Sequence, residues 1–128
     1  MEKIQIKSIE GEILFELEKE NNTLKKTLEE AVSKGINLRF ADLSVANLSG
    51  ANLEGADLIG ANLRGANLSG AYLGDANLYC VNLSGAYLIG ANLYCTNLEG
   101  ANLSGADLEG TNLSDTNLNG ADLTNVYL

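Results

Sequence analysis

The side chains that could do chemistry in this sequence are two cysteines and a set of carboxylates, because the chain has no histidine. General acid–base catalysis needs a titratable group beside the reacting atom, and nucleophilic catalysis needs a nucleophile with an adjacent base. The acidic residues are scattered, and no evident pair of either kind is present. The sequence therefore predicts no catalytic residue, no cofactor and no enzyme activity.

One segment matches the opening of a calcium-binding loop. It runs from Asp115 to Gly120 with the sequence DTNLNG. The bidentate glutamate that such a loop needs at its twelfth position is replaced by Val126, and Leu118 belongs to an apolar row. Cys80 and Cys95 each follow a tyrosine and lack a metal-ligand spacing, which is typical of free thiols; a zinc or redox role is the alternative. We predict no metal site.

The net charge of −9 and the pI near 4.3 limit the partners of the chain. A strongly acidic protein does not bind nucleic acid or an anionic membrane directly. No apolar run approaches the roughly 18 residues of a membrane span, and the start at Met1-Glu2-Lys3 does not resemble a signal peptide. We expect a cytoplasmic location and no membrane partner.

A leucine recurs every five residues from Leu38 to Leu128, which gives 19 leucines in register. Alanine precedes the leucine by two positions in 13 units, and glycine follows it by two positions in 11. Five residues advance a helix by roughly 500° and reverse the face of a strand, so neither regular element gives one apolar stripe. Glycine and asparagine permit a bend in every unit, and repeated bends predict a solenoid filled by leucine and alanine.

Residues 36–128, with their Ala-Asn/Asp-Leu-x-Gly units, resemble the pentapeptide repeat family. The resemblance implies an all-β solenoid, a right-handed quadrilateral parallel β-helix with four units in each of about 4.7 coils. A near-repeat of residues 71–80 at 86–95 would by itself suggest three sides, and we interpret it as a local duplication. One row of the predicted core consists of Leu38, Leu58, Leu78, Leu98 and Leu118.

Residues 1–35 form a separate N-terminal unit in this interpretation. Alternation around Glu10-Gly11 predicts a β-hairpin in which Ile4 faces Leu17, Ile6 faces Phe15 and Ser8 faces Ile13. Residues 22–34 predict a helix that is capped at Asn22 or Thr23 and ended by Gly35. Its apolar stripe consists of Leu24, Leu28, Ala31 and Val32.

We expect the hairpin and helix to cap the first coil near Ile36 and Phe40, since an open coil end exposes leucines and unpaired backbone. The far end, at Tyr127-Leu128, carries no cap sequence. Self-association through that coil is therefore an expectation.

With four units per coil, residues twenty apart stack, and four leucine rows define faces 1 to 4, numbered in chain order from Leu38. Face 3 is centred on Leu48 and face 4 on Leu53, and neither carries a lysine or an arginine. We predict an interaction surface there, formed by Tyr72, Tyr87, Ile89, Tyr94, Tyr127, Glu54, Asp75, Asp107, Glu109 and Asp115. The alternative is that single exposed apolar residues are normal and stacked aromatics only stabilise the sheet.

The predicted function is a non-enzymatic structural or protein-interaction module whose partner, if any, is another protein. The resemblance implies a bacterial or phage source and an alternative function, a DNA-mimicking inhibitor of the type II topoisomerase gyrase. The tract would be roughly 22 Å long, and duplex DNA of that length carries roughly 13 charges. Its net charge of −7 is about half of that, so the mimic would need a dimer or an end-to-end stack to bind such a DNA-binding enzyme.

Overall fold

The computed structural model describes all 128 residues. It contains strand β1 (Glu2–Lys7), strand β2 (Ile13–Lys19) and helix α1 (Leu24–Ser33), in that order. The remainder, from residue 36, is a series of short extended segments and turns joined by isolated β-bridges. The chain contains no helix of the length and apolar character that crossing a bilayer requires.

The bridges of the repeat tract are parallel and join residues twenty apart, from Asp42–Asn62 to Asp107–Tyr127. The Leu48 amide donates to the Asn67 carbonyl at 2.8 Å, and the Asn67 amide donates to the Ala46 carbonyl at 2.9 Å. Twenty residues hold four units, so each turn of the solenoid has four sides. The fifteen-residue near-repeat therefore does not set the period of the coil.

Each unit bends at the second residue after its leucine, where the backbone has a positive φ. At the corner after Leu48, Gly50 has φ +68°, and the Ala51 amide donates to the Leu48 carbonyl at 3.0 Å. This is the geometry of a type II turn, which favours glycine. Seven corners adopt the same conformation without glycine: Phe40, Val45, Asp75, Cys80, Cys95, Asp115 and Asn125.

Val45 is the most strained of these corners, because a β-branched side chain rarely adopts a positive φ and Val45 has φ +53°. Its side chain is 79% exposed and gains little from burial. Replacing Val45 with glycine is expected to raise the free energy of unfolding by about 0.5–1 kcal/mol. The substitution relieves the strain of a left-handed valine, and part of that gain is lost because glycine loses more conformational entropy on folding. Urea denaturation followed by circular dichroism measures the change.

Asn125→Gly is the matched control for Val45→Gly, since asparagine tolerates the left-handed region that Asn125 occupies. We expect its stability to change by less than about 0.5 kcal/mol. A Val45→Gly protein less stable than the parent would show that the valine side chain stabilises its corner.

The core is built from the leucine and alanine positions of the units. Leu38, Leu58, Leu78 and Leu98 are fully buried, as predicted. Leu118 is only partly buried, because no further coil lies beyond it in the structure. Thr96 replaces an inward alanine, and its buried hydroxyl donates to a backbone carbonyl at 2.8 Å, so the polar group keeps a partner.

The hairpin pairs Ile4 with Leu17 and Ile6 with Phe15 as predicted. The predicted pairing of Ser8 with Ile13 is wrong, because a register shift after Ile6 places Lys7 opposite Ile13. The turn is longer than two residues, and the Ser8 amide donates to the Glu12 carbonyl at 2.7 Å. Ser8 also forms an antiparallel bridge to Ala41 of the first coil. Ser8 therefore pairs with the repeat tract and not with Ile13 of the hairpin.

Helix α1 begins after Thr23, whose hydroxyl accepts a hydrogen bond from the Lys26 amide. It ends at Ser33 with Lys34 as its C-cap, and the predicted Gly35 follows with φ +68°. In the predicted apolar stripe, Leu28 and Ala31 are fully buried and belong to the same core as the leucines of the tract, whereas Leu24 and Val32 are partly buried against it.

Candidate interaction surface

The four faces differ in charge once the residues are placed on their ladders. Faces 3 and 4 hold five carboxylates and no basic residue of the tract, a net charge of −5. Faces 1 and 2 hold four carboxylates and two arginines, a net charge of −2. The Nε of Arg39 lies 2.9 Å from a carboxylate oxygen of Asp57 on face 1. The negative charge of the tract is therefore concentrated on two adjoining faces.

On face 3, the structure brings together five of the predicted surface residues. Tyr87, Asp107 and Tyr127 are consecutive members of one ladder, joined by parallel bridges. Ile89 and Glu109 lie in the next outward position of the same units. Tyr87 is 52% exposed, Tyr127 66% and Ile89 43%, so the aromatic and aliphatic surfaces are available to a partner.

Face 4 carries the second group, centred on Tyr72, Tyr94 and the corner residues Asp75 and Asp115. Tyr72 and Tyr94 are 50% and 45% exposed. Gly74 is buried between Glu54 and Tyr94, and a Cβ built on it would lie 4.0 Å from the Glu54 side chain. Glu54 is the outlying member of the predicted set, because it lies in the first coil beside Glu29 and Val32 of α1.

One corner of face 4 stacks three titratable side chains on successive coils, Asp75, Cys95 and Asp115. Cys95 is a free thiol, and so is Cys80 at a different corner. The adjacent Cys95 side chain raises the pKa of the Tyr94 phenol, and the charges of Asp115 and Asp75 raise it further. Tyr94 therefore stays protonated, and able to donate a hydrogen bond, to a higher pH than an ordinary tyrosine.

No group of three or more cysteine, aspartate or glutamate side chains is placed to hold a metal ion. In the segment that matches a calcium loop, Leu118 packs against the core and Asp115 lies at the face 4 corner. The Asn117 carboxamide oxygen accepts a hydrogen bond from the Asn119 amide within its own turn. These side chains form contacts within the repeat and do not surround a common site.

Sequence reasoning missed one concave feature, a cavity of about 350 Å³ where the hairpin turn meets the first coil. Ile9 and Phe40, both more than half exposed, line it together with Glu10 and Glu12. The Ile9 amide donates to the Phe40 carbonyl at 2.8 Å and fixes this junction. In the sequence, only the apolar residues near Gly11 could have indicated this cavity. Its shape could not be predicted, because it depends on how the hairpin and the first coil meet.

A leucine-filled solenoid with four five-residue units per turn and parallel ladders defines a class of β-helical proteins. The chain belongs to the pentapeptide repeat family, whose sequence profile matches residues 36–75, 56–93, 66–105 and 91–128. This confirms the resemblance found in the sequence. The family's solved structures imply a right-handed quadrilateral β-helix.

Two solved structures illustrate the similarity. HetL, a pentapeptide repeat protein involved in heterocyst differentiation regulation in Nostoc sp. strain PCC 7120, is 42% identical over 66% of this chain and 39% of its own, with a TM-score of 0.64. A pentapeptide repeat protein of the Arabidopsis thaliana thylakoid lumen is 34% identical over 70% of this chain and 63% of its own, with a TM-score of 0.68. The matched region thus spans less than two thirds of either relative. The comparison with curated proteins gives no match.

Proposed function

We propose that this protein is a non-catalytic protein-interaction module that contacts its partner through faces 3 and 4. The observation that supports this function is the exposure of four tyrosines and Ile89 on two adjoining faces. The same outward positions elsewhere in the tract are mostly asparagine, serine or glycine. Tyrosine is enriched at the energetic centres of protein interfaces, where it supplies contact area at low entropy cost.

The scaffold under these side chains is held by a continuous hydrogen-bond ladder. On face 3 the Leu68 amide donates to the Tyr87 carbonyl at 2.7 Å, and the Leu88 amide donates to the Asp107 carbonyl at 2.8 Å. Tyr87 and Asp107 therefore have backbone positions fixed by the coils on both sides, and Tyr127 is fixed by the coil before it. A surface that is ordered before binding loses less entropy on association.

In this proposal, residues 1–35 form the cap and residues 36–128 form the β-helix of about 4.7 coils. The Lys7 carbonyl accepts a hydrogen bond from the Asp42 amide at 2.8 Å, and a Glu29 carboxylate oxygen accepts one from the Asn52 amide at 2.8 Å. Both amides lie in the first coil, which has no preceding coil to pair with. We place the protein in the cytoplasm, where free thiols such as Cys80 and Cys95 persist.

The test replaces Tyr72, Tyr87 and Tyr94 with asparagine, a residue that the repeat already uses at outward positions. We expect an unchanged circular dichroism spectrum, and loss of at least one partner when tagged proteins are recovered from the source cells and compared by quantitative mass spectrometry. The matched control is Tyr79→Asn, since Tyr79 is an exposed tyrosine of face 1. A triple variant that keeps every partner of the parent would contradict the proposal.

The gyrase-inhibitor alternative is tested by a supercoiling assay, paired with light scattering to measure the molecular mass. A DNA mimic of this length predicts inhibition by a dimer, and loss of that inhibition when Asp107, Glu109 and Asp115 become amides. Absence of inhibition at tens of micromolar would leave the interaction module as the function. The same mass measurement tests self-association through the last coil, where Leu123 and Leu128 are 41% and 82% exposed.

A further inference from the structure

Faces 3 and 4 bring aromatic rings and carboxylates close together, and one ladder of face 3 alternates them along the axis of the solenoid. In the ladder of Tyr87, Asp107 and Tyr127, a carboxylate lies between two exposed rings at the coil spacing of roughly 4.8 Å. At the face 4 corner, Asp75 and Asp115 lie one coil to either side of Cys95 and close to Tyr94. A cation that approaches either group meets an aromatic ring and a negative charge together.

Arginine is the side chain that best matches this pairing. Its planar guanidinium stacks on aromatic rings and also forms ion pairs with carboxylates, whereas lysine is a more strongly hydrated point charge. Resting on the proposed function, we propose that faces 3 and 4 bind an extended, arginine-rich segment of another protein.

The distribution of the other charges agrees with such an occupant. The Nζ of Lys25 of α1 lies beside Gly50, at the first-coil end of face 3. Asp107 and Glu109 lie three coils further along, about 14 Å away at the coil spacing. The three ion pairs of the chain use Glu16, Glu30 and Asp57, so the carboxylates of faces 3 and 4 have no internal cation as a partner, and an incoming chain would supply one.

The shape of the surface favours an extended segment over a compact ligand. The surface residues are distributed from the first coil, at Glu54, to the last, at Tyr127, a length of roughly 19 Å that would accommodate about six residues of an extended chain. The cavities of the chain lie beside the hairpin, against helix α1 or next to Val45, and Glu54 is the one predicted surface residue that lines any of them.

The experiment measures binding of a fluorescently labelled nona-arginine peptide to the purified full chain by anisotropy. Two variants remove the same number of charges: Asp75→Asn, Asp107→Asn, Glu109→Gln and Asp115→Asn on faces 3 and 4, or Asp42→Asn, Asp57→Asn, Glu99→Gln and Asp122→Asn on faces 1 and 2. We expect the first variant to weaken binding by at least about tenfold and the second by less than about threefold. Equal losses would mean that the peptide follows net charge, and the proposal would be wrong.

A second comparison isolates the contribution of the rings. The triple tyrosine-to-asparagine variant is expected to weaken nona-arginine binding by about fivefold and to remove most of the preference for nona-arginine over nona-lysine. An unchanged preference, or no binding of nona-arginine to the parent at 100 µM, a concentration on the order of a weak but specific complex, would overturn the proposal. If cellular partners are lost in the triple variant while the peptide fails to discriminate between the charge variants, the interaction module stands and only the arginine-rich partner is rejected.

Discussion

Leu78→Ala is expected to lower the free energy of unfolding by about 3.5 kcal/mol, the middle of the range for truncating a buried leucine. Leu78 is 0% exposed and stacks between Leu58 and Leu98, which are also fully buried. Because the coils on both sides are held by backbone ladders, the structure has little freedom to collapse into the cavity. Urea denaturation followed by circular dichroism measures the loss, since the chain has no tryptophan.

The same substitution along the tract should give a gradient set by burial. Leu118→Ala is expected to cost about 1 kcal/mol, and Leu128→Ala less than about 0.5 kcal/mol, because these side chains are partly buried and 82% exposed respectively. The three variants share one chemistry and one type of unit, so each controls for the others. Equal losses at all three positions would show that the last coil is covered in solution.

The repeat of leucine every five residues was enough to predict a solenoid with leucine and alanine inside. It was not enough to predict four sides, because a bend in each unit allows any number of units per turn. The number of sides came from the resemblance, and the structure shows its physical basis in the ladder that joins residues such as Asn67 and Tyr87 twenty apart. Pairing between coils, a non-local property, sets the period.

The corners show how tertiary structure overrides the preference of a single residue. Glycine, aspartate and asparagine predict a bend, but Val45 and Phe40 do not, and both adopt a positive φ. The Phe40 amide donates to the Ile59 carbonyl at 2.9 Å, so the ladder imposes the bend. The Phe40 ring occupies the space where a side chain on Gly60 would lie, which couples two corners that sequence spacing alone did not connect.

The sequence predicted which residues form the surface, but it could not predict how far each side chain is exposed. Residues twenty apart stack as expected, and this places Tyr87 beside Asp107. The degree of exposure of each tyrosine and the burial of Gly74 depend on side-chain packing between coils. The Glu29–Asn52 hydrogen bond was not predicted, because it depends on the position in which the helix packs against the first coil.

Leu28→Asp is expected to release the cap and to lower the free energy of unfolding by at least about 3 kcal/mol, since a charge cannot stay in an apolar core without a partner. Leu28 is 0% exposed, and it belongs to the same core as the leucines of the tract. Release of α1 would also remove Glu29 from the Asn52 amide and open the first coil, whose unpaired backbone can then pair with another copy. We therefore expect the mass measured by light scattering to rise with protein concentration.

Asn21→Asp is the control for Leu28→Asp, because it adds the same charge beside the helix at an exposed residue. Its stability should change by less than about 0.5 kcal/mol, and its mass should not depend on concentration. If Leu28→Asp were destabilised and yet stayed a monomer at every concentration, the first coil would not need its cap to prevent association. The hairpin and helix would then stabilise the solenoid through apolar burial alone, and protection of the open edge would have to come from the strained corners and charged side chains of the first coil itself.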